Sequence, residues 1–262
     1  MATSTTLDIR QLTGRFVLDG ASQVGRLTYF VIDMIRGLGE VRIWWPRMMV
    51  EAWNIGAGSL FIVLLISAFA GAVTALQAGY QFTGSIPYYV VGTLVVSAII
   101  LELGPVLTAV VFIGRVGARI TAELGTMKVS EQIDALHSLG RNPVQQLVTP
   151  RLIAGMIALP LLTAYANTIG IAAGAFTARA TLGLGYETFI YGVRLFWHTF
   201  DLYYSVGKGA VFGFIIPLIA AHMGMRTHGG AEGVGRATTA GVVVMIMAVL
   251  VLDAIFPMIF LR

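Results

Sequence analysis

The chain has no cysteine. Disulfides, thiolate metal sites and cysteine nucleophiles are therefore excluded. Histidine is scarce, at four residues, so no metal site is expected. Charge is sparse as well. Asp, Glu, Lys and Arg make up 11% of the 262 residues, where a soluble domain carries about 25%. Hydrophobic residues make up 57%, and the mean hydropathy is +0.83. So few charges cannot cover a water-soluble core of this composition. An ordinary soluble enzyme, a disordered chain and a nucleic-acid-binding domain are excluded. The net charge of +4 is small. In a membrane protein, excess Lys and Arg sets topology instead.

What is present is a series of long uncharged runs. No Asp, Glu, Lys or Arg lies between Glu51 and Glu102. That stretch holds two spans, about 54–80 and 88–113, broken by the turn from Gln81 to Pro87. A third span, 152–178, lies between Arg151 and Arg179. As a helix it reaches about 40 Å, enough to cross a hydrocarbon core of about 30 Å with tilt. Two more are expected at about 202–225, which contains Lys208, and about 237–260, which contains Asp253. The runs are continuously apolar rather than alternating, which favours helices over a barrel.

Residues 1–50 form a separate segment, followed by a transmembrane domain over 51–262. Leu27, Phe30, Val31, Met34 and Leu38 recur at helical spacing, with Arg26, Asp33, Arg36 and Glu40 between them. This pattern predicts an amphipathic helix lying in the interface. No short apolar core with a cleavage site suggests a signal peptide. Trp44 and Trp45 then fall at headgroup level, and Pro46 marks a bend before the first span. The fold class is an all-α integral membrane protein. It has an N-terminal interfacial amphipathic helix, about five transmembrane helices and a short cytoplasmic coupling helix.

The Lys/Arg distribution predicts orientation. Arg10, Arg15, Arg26, Arg36, Arg42 and Arg47 precede the first span. Arg115, Arg119, Lys128, Arg141 and Arg151 follow the second, and Arg226 and Arg236 follow the fourth. All of these share one side. The other side holds Arg179, Arg194 and Arg262. The N-terminus and the 114–151 loop are expected in the cytoplasm, and the C-terminus outside. The segment 180–204 is rich in Tyr, Phe and Trp. It reads as an outer-leaflet aromatic belt or as a docking surface, and the belt is the commoner case.

No catalytic motif is present. Gly207-Lys208-Gly209 lacks the first glycine and the hydroxyl residue of a phosphate-binding loop. Gly233-Val234-Gly235 lacks the third glycine of a dinucleotide loop, and His198 and Asp201 have no serine partner. Gly170/Gly174 and Gly209/Gly213 are small-residue pairs suited to internal helix packing or a homodimer contact. The 114–151 loop is more informative. Ser130 is placed to cap a short helix at about 130–139, with Glu131 and Asp134 near its positive end. Ile133, Leu136 and Leu139 line one side, and Gly140 and Pro143 end it. A helix of about ten residues cannot span a bilayer, so it packs on the spans or enters a partner.

Several segments together resemble the MlaE/YrbE family of ABC-transporter permeases. They are Glu102-Leu-Gly-Pro105, Gly114-Arg115 through Ala118, Ala122-Glu-Leu-Gly-Thr-Met127 and Ser130-Glu-Gln-Ile-Asp-Ala-Leu136. Asn142-Pro143, Pro150-Arg151, Pro160-Leu-Leu162 and Gly235-Arg-Ala-Thr-Thr239 follow. One departure is Leu101, where some bacterial members carry arginine. The resemblance covers residues from about 10 to the C-terminus.

The resemblance implies a permease of an intermembrane lipid-transport complex in a bacterial inner membrane. Phospholipid is the expected cargo. The implied partners are a second permease copy, a cytoplasmic ABC ATPase dimer and an extracytoplasmic Mce-domain (MlaD-like) hexamer. A STAS-domain protein (MlaB-like) is a further candidate. The chain itself is not an enzyme and needs no cofactor; ATP and Mg belong to the ATPase. The segment Glu123 to Leu139 takes the coupling role. Its candidate residues are Glu123, Gly125, Met127, Glu131, Asp134 and Leu136, with Glu123 and Glu131 facing basic groups of the ATPase. Val73, Leu76, Gln77 and Tyr80, near the outer end of the first span, are candidates for lipid contact. Glu102 and Lys208 either pair within the bundle, with Asp253 as the other partner for Lys208, or meet a lipid head group. Two other classes remain open: an ion- or proton-coupled secondary transporter or channel using Glu102, Lys208 and Asp253, and a membrane-embedded assembly subunit.

Overall fold

The computed structural model describes residues 41–81 and 87–260, together with Gly25. The expected amphipathic helix over 27–38, the turn residues 82–86 and the last two residues lie outside the described residues. Helix α1 runs Val41–Gln81. Helix α2, Tyr89–Val129, is continuous through two wide π turns at Ile99–Leu103 and Ile113–Gly117. The short α3 is Gln132–Ser138 and α4 is Val144–Leu182. Then come α5 (Tyr186–Phe196), α6 (Thr199–Gly224) and α7 (Gly230–Phe260). Among the described residues, five helices are long and apolar enough to cross a membrane: α1, α2, α4, α6 and α7. There is no strand among them. The all-α membrane architecture read from the charge-free runs is the one observed.

The helices are longer than the uncharged runs. Uncharged sequence marks the stretch that tolerates hydrocarbon, whereas the backbone ladder continues as long as residues accept helical angles. The largest difference is in the 114–151 loop. Residues 114–129 extend α2, so about half of that segment is a rigid arm rather than a loop. Pro46 likewise lies inside α1 instead of bending the chain before it. Ser130 closes α2 rather than opening α3: its Oγ donates to the Thr126 carbonyl at 2.8 Å. The turn is made by Glu131, whose φ of 60° is left-handed. Asn142 Oδ1 accepts the Val144 N–H at 2.9 Å and so starts α4. Gly183, with φ of 65°, ends it.

Pro105 is absorbed without a sharp break. A proline in a regular helix meets the carbonyl four residues back and offers it no N–H. The π turn at Ile99–Leu103 widens the helix just before Pro105, and the Gly104 N–H reaches back to the Ile99 carbonyl. The carbonyl left without its usual donor is that of Leu101, and a neighbouring helix supplies one.

In lipid, apolar faces gain little by meeting each other, so close packing and polar contacts hold such bundles together. The most extensive contact is α1 against α4. A Cβ on Gly71 of α1 would collide with the Gly170 carbonyl of α4. The small-residue pairs Gly170/Gly174 and Gly209/Gly213 all face neighbouring helices of this chain, which is the internal-packing reading. The core gathers Phe112, Leu159, Phe212, Ile216 and Met245 from α2, α4, α6 and α7, with Met48, Ile55 and Val63 from α1. Helix α5 docks on the start of α2 through Phe189, and Thr93 donates to the Gly192 carbonyl at 2.8 Å. Its Tyr186, Ile190, Tyr191, Leu195 and Phe196 stay exposed. That position suits an aromatic belt.

Candidate functional site

Two groups of polar residues stand out in this apolar bundle. The first lies between α2, α6 and α7. Lys208 is fully enclosed, with 0% of its side chain exposed. Its Nζ donates to Glu102 Oε2 at 2.8 Å and to the Leu101 carbonyl at 3.2 Å. It also lies 2.5 Å from Asp253 Oδ1, an ion pair by distance that falls off the hydrogen-bond direction. The Leu101 carbonyl is the one Pro105 cannot serve, so the ammonium repairs the ladder and binds two carboxyl groups at once. Glu102 is half exposed, whereas Asp253 is nearly buried. One turn before Lys208, Ser205 Oγ accepts from Asn167 Nδ2 at 2.9 Å. Asn167 Oδ1 lies against Gly104, where a Cβ would collide with it. Pairing of Lys208 with Glu102 or with Asp253 stood as alternatives in the sequence; the structure has both at once. Asn167 and Ser205 carry no sequence signal beyond being polar residues in apolar runs.

The second group lies where α3 joins the bundle. Asp134 takes Lys128 Nζ on both oxygens, at 2.8 and 2.9 Å, and so pins α3 to the end of α2. Gly125 is buried against α6, and a Cβ there would come within 3.0 Å of Thr227 Oγ1. Met127 and Leu136 line a groove of about 660 Å³ between α3 and the starts of α1 and α4. Pro46, Val50, Leu139 and Leu147 form its other apolar walls. Leu139 is 73% exposed. Glu131 is exposed, at the turn. Glu123 is partly exposed, but one oxygen is held by Arg151 at 2.8 Å. The partners Glu51, Arg119 and Arg151 were not singled out from sequence as a cluster. In the sequence Glu51 and Arg151 border charge-free runs, Arg119 and Arg151 count towards the Lys/Arg asymmetry, and Arg151 belongs to the Pro150-Arg151 segment, but none of this pairs them.

The expected lipid contacts lie elsewhere. Val73, Leu76, Gln77 and Tyr80 are all exposed along one side of α1, Tyr80 at 87%. This side continues down the helix as Phe69, Leu65 and Phe61. Helix α7 is similarly open at Val243, Met247, Leu250 and Val251. The structure therefore separates the candidates into three places: the enclosed charges, the arm with its groove, and the exposed C-terminal part of α1.

Five long apolar helices in one bundle define a multi-pass membrane protein. The comparisons make this specific. A sequence model described as Permease MlaE matches residues 48–259. A probable ABC transporter permease of Rickettsia typhi is 36% identical over 237 residues, covering 90% of this chain and 92% of that protein. A probable ABC transporter permease of Synechocystis is 37% identical over 206 residues, 78% of each chain. The chloroplast protein Trigalactosyldiacylglycerol 1 of Arabidopsis thaliana is 35% identical over 232 residues, 88% of this chain and 65% of that protein. The chain belongs to the MlaE family of ABC-transporter permeases.

Proposed function

We propose that this chain is the membrane-spanning subunit of a lipid transporter powered by a separate ATPase. The observation that carries the reading is the arm: α2 continued beyond its charge-free run and packed on α6 and α7, α3 pinned to its end, and an apolar groove beside it. An ABC permease needs a solid contact of this kind to receive the ATPase stroke. The groove's exposed apolar wall and α3 form the docking place, with Gly125 holding the arm close to α6 and Met127 and Leu136 lining the contact. ATP and Mg reside in the partner, and this chain hydrolyses nothing.

Lipid, with phospholipid the favoured cargo, is supported by two facts. The outer part of α1 exposes Val73, Leu76 and Tyr80 with Gln77 among them, a surface suited to acyl chains beside a polar group. The Arabidopsis relative bears a glycolipid in its name. Two permease copies facing one another across the open sides of α1 and α7 would enclose such a space. An Mce-domain hexamer on the outer side and a STAS-domain protein beside the ATPase complete the proposed assembly. The Lys/Arg asymmetry supports an inner-membrane orientation with the arm in the cytoplasm.

Two measurements test this. The natural chain has no cysteine, so a single Asp134→Cys variant reports sidedness directly. An impermeant thiol reagent should leave it unlabelled in cells with a permeabilised outer membrane and an intact inner membrane. Labelling there reverses the topology. The affinity-purified chain should also retain an ATPase and lipid identifiable by mass spectrometry. Leu139→Glu should weaken ATPase retention by about tenfold, since burying a leucine is worth about 1.5–3 kcal/mol and 1.4 kcal/mol is a factor of ten. Leu139 is exposed in the single chain, so its own fold should be unaffected. A wild-type chain that retains neither ATPase nor lipid refutes the transporter reading.

A further inference from the structure

Four charged side chains form a ring where the end of α2 packs beside the starts of α1 and α4. Arg119 and Glu123 stand four residues apart on one face of α2. Arg119 Nη2 lies 2.8 Å from Glu51 Oε2 of α1. Arg151, in the first turn of the long α-helical part of α4, places Nη2 2.8 Å from Glu123 Oε1. Its Nε lies 3.3 Å from Glu51 Oε1, a charge contact outside hydrogen-bond geometry. Its Nη1 donates to the Leu147 carbonyl at 3.0 Å. The Arg151 side chain is only 6% exposed. The signs alternate around the ring, and three helices each contribute.

This alternation fixes an axial register. A slide of α2 by one helical turn, about 5.4 Å, would carry Arg119 into the place of Glu123. Arg119 would then face Arg151, like charge against like charge. A smaller slip would leave the nearly dry Arg151 short of a partner, and an unpaired buried charge is strongly unfavourable. The arm is therefore locked to α1 and α4 at one height. The lock lies on the path of any movement of α3. Helix α3 packs chiefly on the last turns of α2, and the groove separates it from the starts of α1 and α4. A push on α3 reaches those two helices through α2, by the ring and by the apolar core that Ile120 and Leu124 share with Met48, Val148 and Leu152.

We propose that this ring is the joint that carries movement of the arm into α1 and α4, with Arg151 as its positioning residue. The inference rests on the ATPase-driven reading above. It gives Glu123 a partner within its own chain in place of a basic group on the ATPase.

The test uses the whole complex, with its ATPase, in phospholipid vesicles. The paired swap Arg119→Glu with Glu123→Arg keeps the composition and the four-residue pair on α2. It sets a carboxylate against Glu51 and a guanidinium against Arg151. ATPase retention should change little. The melting temperature should fall, because like charges then meet at Glu51 and at the buried Arg151, and lipid moved per ATP hydrolysed by the folded complex should fall about fivefold or more, in the range of allosteric coupling factors. Adding Glu51→Arg and Arg151→Glu restores the alternation and should bring the ratio back towards wild type. If the swapped protein fails to assemble, Glu123→Gln is measured instead and should lower the same ratio. An unchanged ratio in the assembled swap, or in Glu123→Gln, overturns the joint while leaving the transporter reading intact. An inversion that assembles but recovers nothing overturns it too. A wild-type complex that hydrolyses ATP and moves no lipid refutes the transporter reading, and the joint falls with it.

Discussion

Replacing Lys208 by methionine should destabilise the protein more than any other single change to its charged side chains. The ammonium serves three groups at once: it hydrogen-bonds the Leu101 carbonyl and Glu102 and lies against the Asp253 carboxylate as an ion pair. Methionine is similar in length but satisfies none of them. Asp253, whose side chain is 12% exposed, then has no cation inside the bundle and only the Glu102 carboxyl beside it. Insertion scales put such a residue at about 2.5–3.5 kcal/mol. The orphaned carbonyl adds about 1–3 kcal/mol. Against a usual total stability of about 5–15 kcal/mol, that is a large share. The expected result is a marked fall in melting temperature and in monodisperse yield from detergent.

A second variant separates charge from packing. Lys208→Met with Asp253→Asn leaves no lone carboxylate at position 253 and should recover much of the lost stability. Glu102→Gln should be milder than Lys208→Met, because Glu102 is half exposed and its amide can still accept from Lys208. Normal melting of Lys208→Met with failed lipid transport would move these charges from structure to lipid handling. Normal melting with normal transport would remove them from both.

Gly213→Val is expected to have the next largest effect. Helices α4 and α6 cross where Gly155 and Gly213 meet backbone to backbone. A Cβ on either residue would collide with the carbonyl of the other. Backbone cannot swing aside as a side chain can, so the helices must separate. Overpacking of this kind costs about 1–3 kcal/mol or more. Separation would also loosen Leu159 and Pro217 beside the crossing. Gly207 on the same helix supplies the control, since a Cβ there meets nothing within 4 Å. Gly207→Ala should be neutral or slightly stabilising, by up to about 1 kcal/mol of helix propensity. Equal melting temperatures for the two variants would mean that the α4–α6 crossing is not close-packed in the membrane.

The same pair of glycines shows where reading a sequence stops. The four-residue spacing marks Gly209 and Gly213 as a packing pair, but it leaves open whether they face this chain or a second copy. Only the crossing of α6 with α4 makes Gly209 and Gly213 intolerant and leaves Gly207 free. The arm behaves similarly. Ser130 has the right chemistry for a helix cap and carries the right neighbours, yet it caps the helix before it. A cap residue serves whichever end the chain direction brings to it, and the turn at Glu131 decides that.

Composition and charge spacing alone determined that this is a helical membrane protein with five spans. Lipid tolerates neither bare charge nor unpaired backbone, and that constraint is written locally in every span. The motif order also carried the permease family, because those residues are contiguous short runs. Partnerships were decided by the tertiary structure. Glu102, Lys208 and Asp253 are far apart in the chain, as are Glu51, the Arg119/Glu123 pair and Arg151. Which carboxylate meets which cation depends on helix rotation and axial register. Those are set by side-chain packing and glycine crossings between helices, and no local pattern in the sequence encodes them.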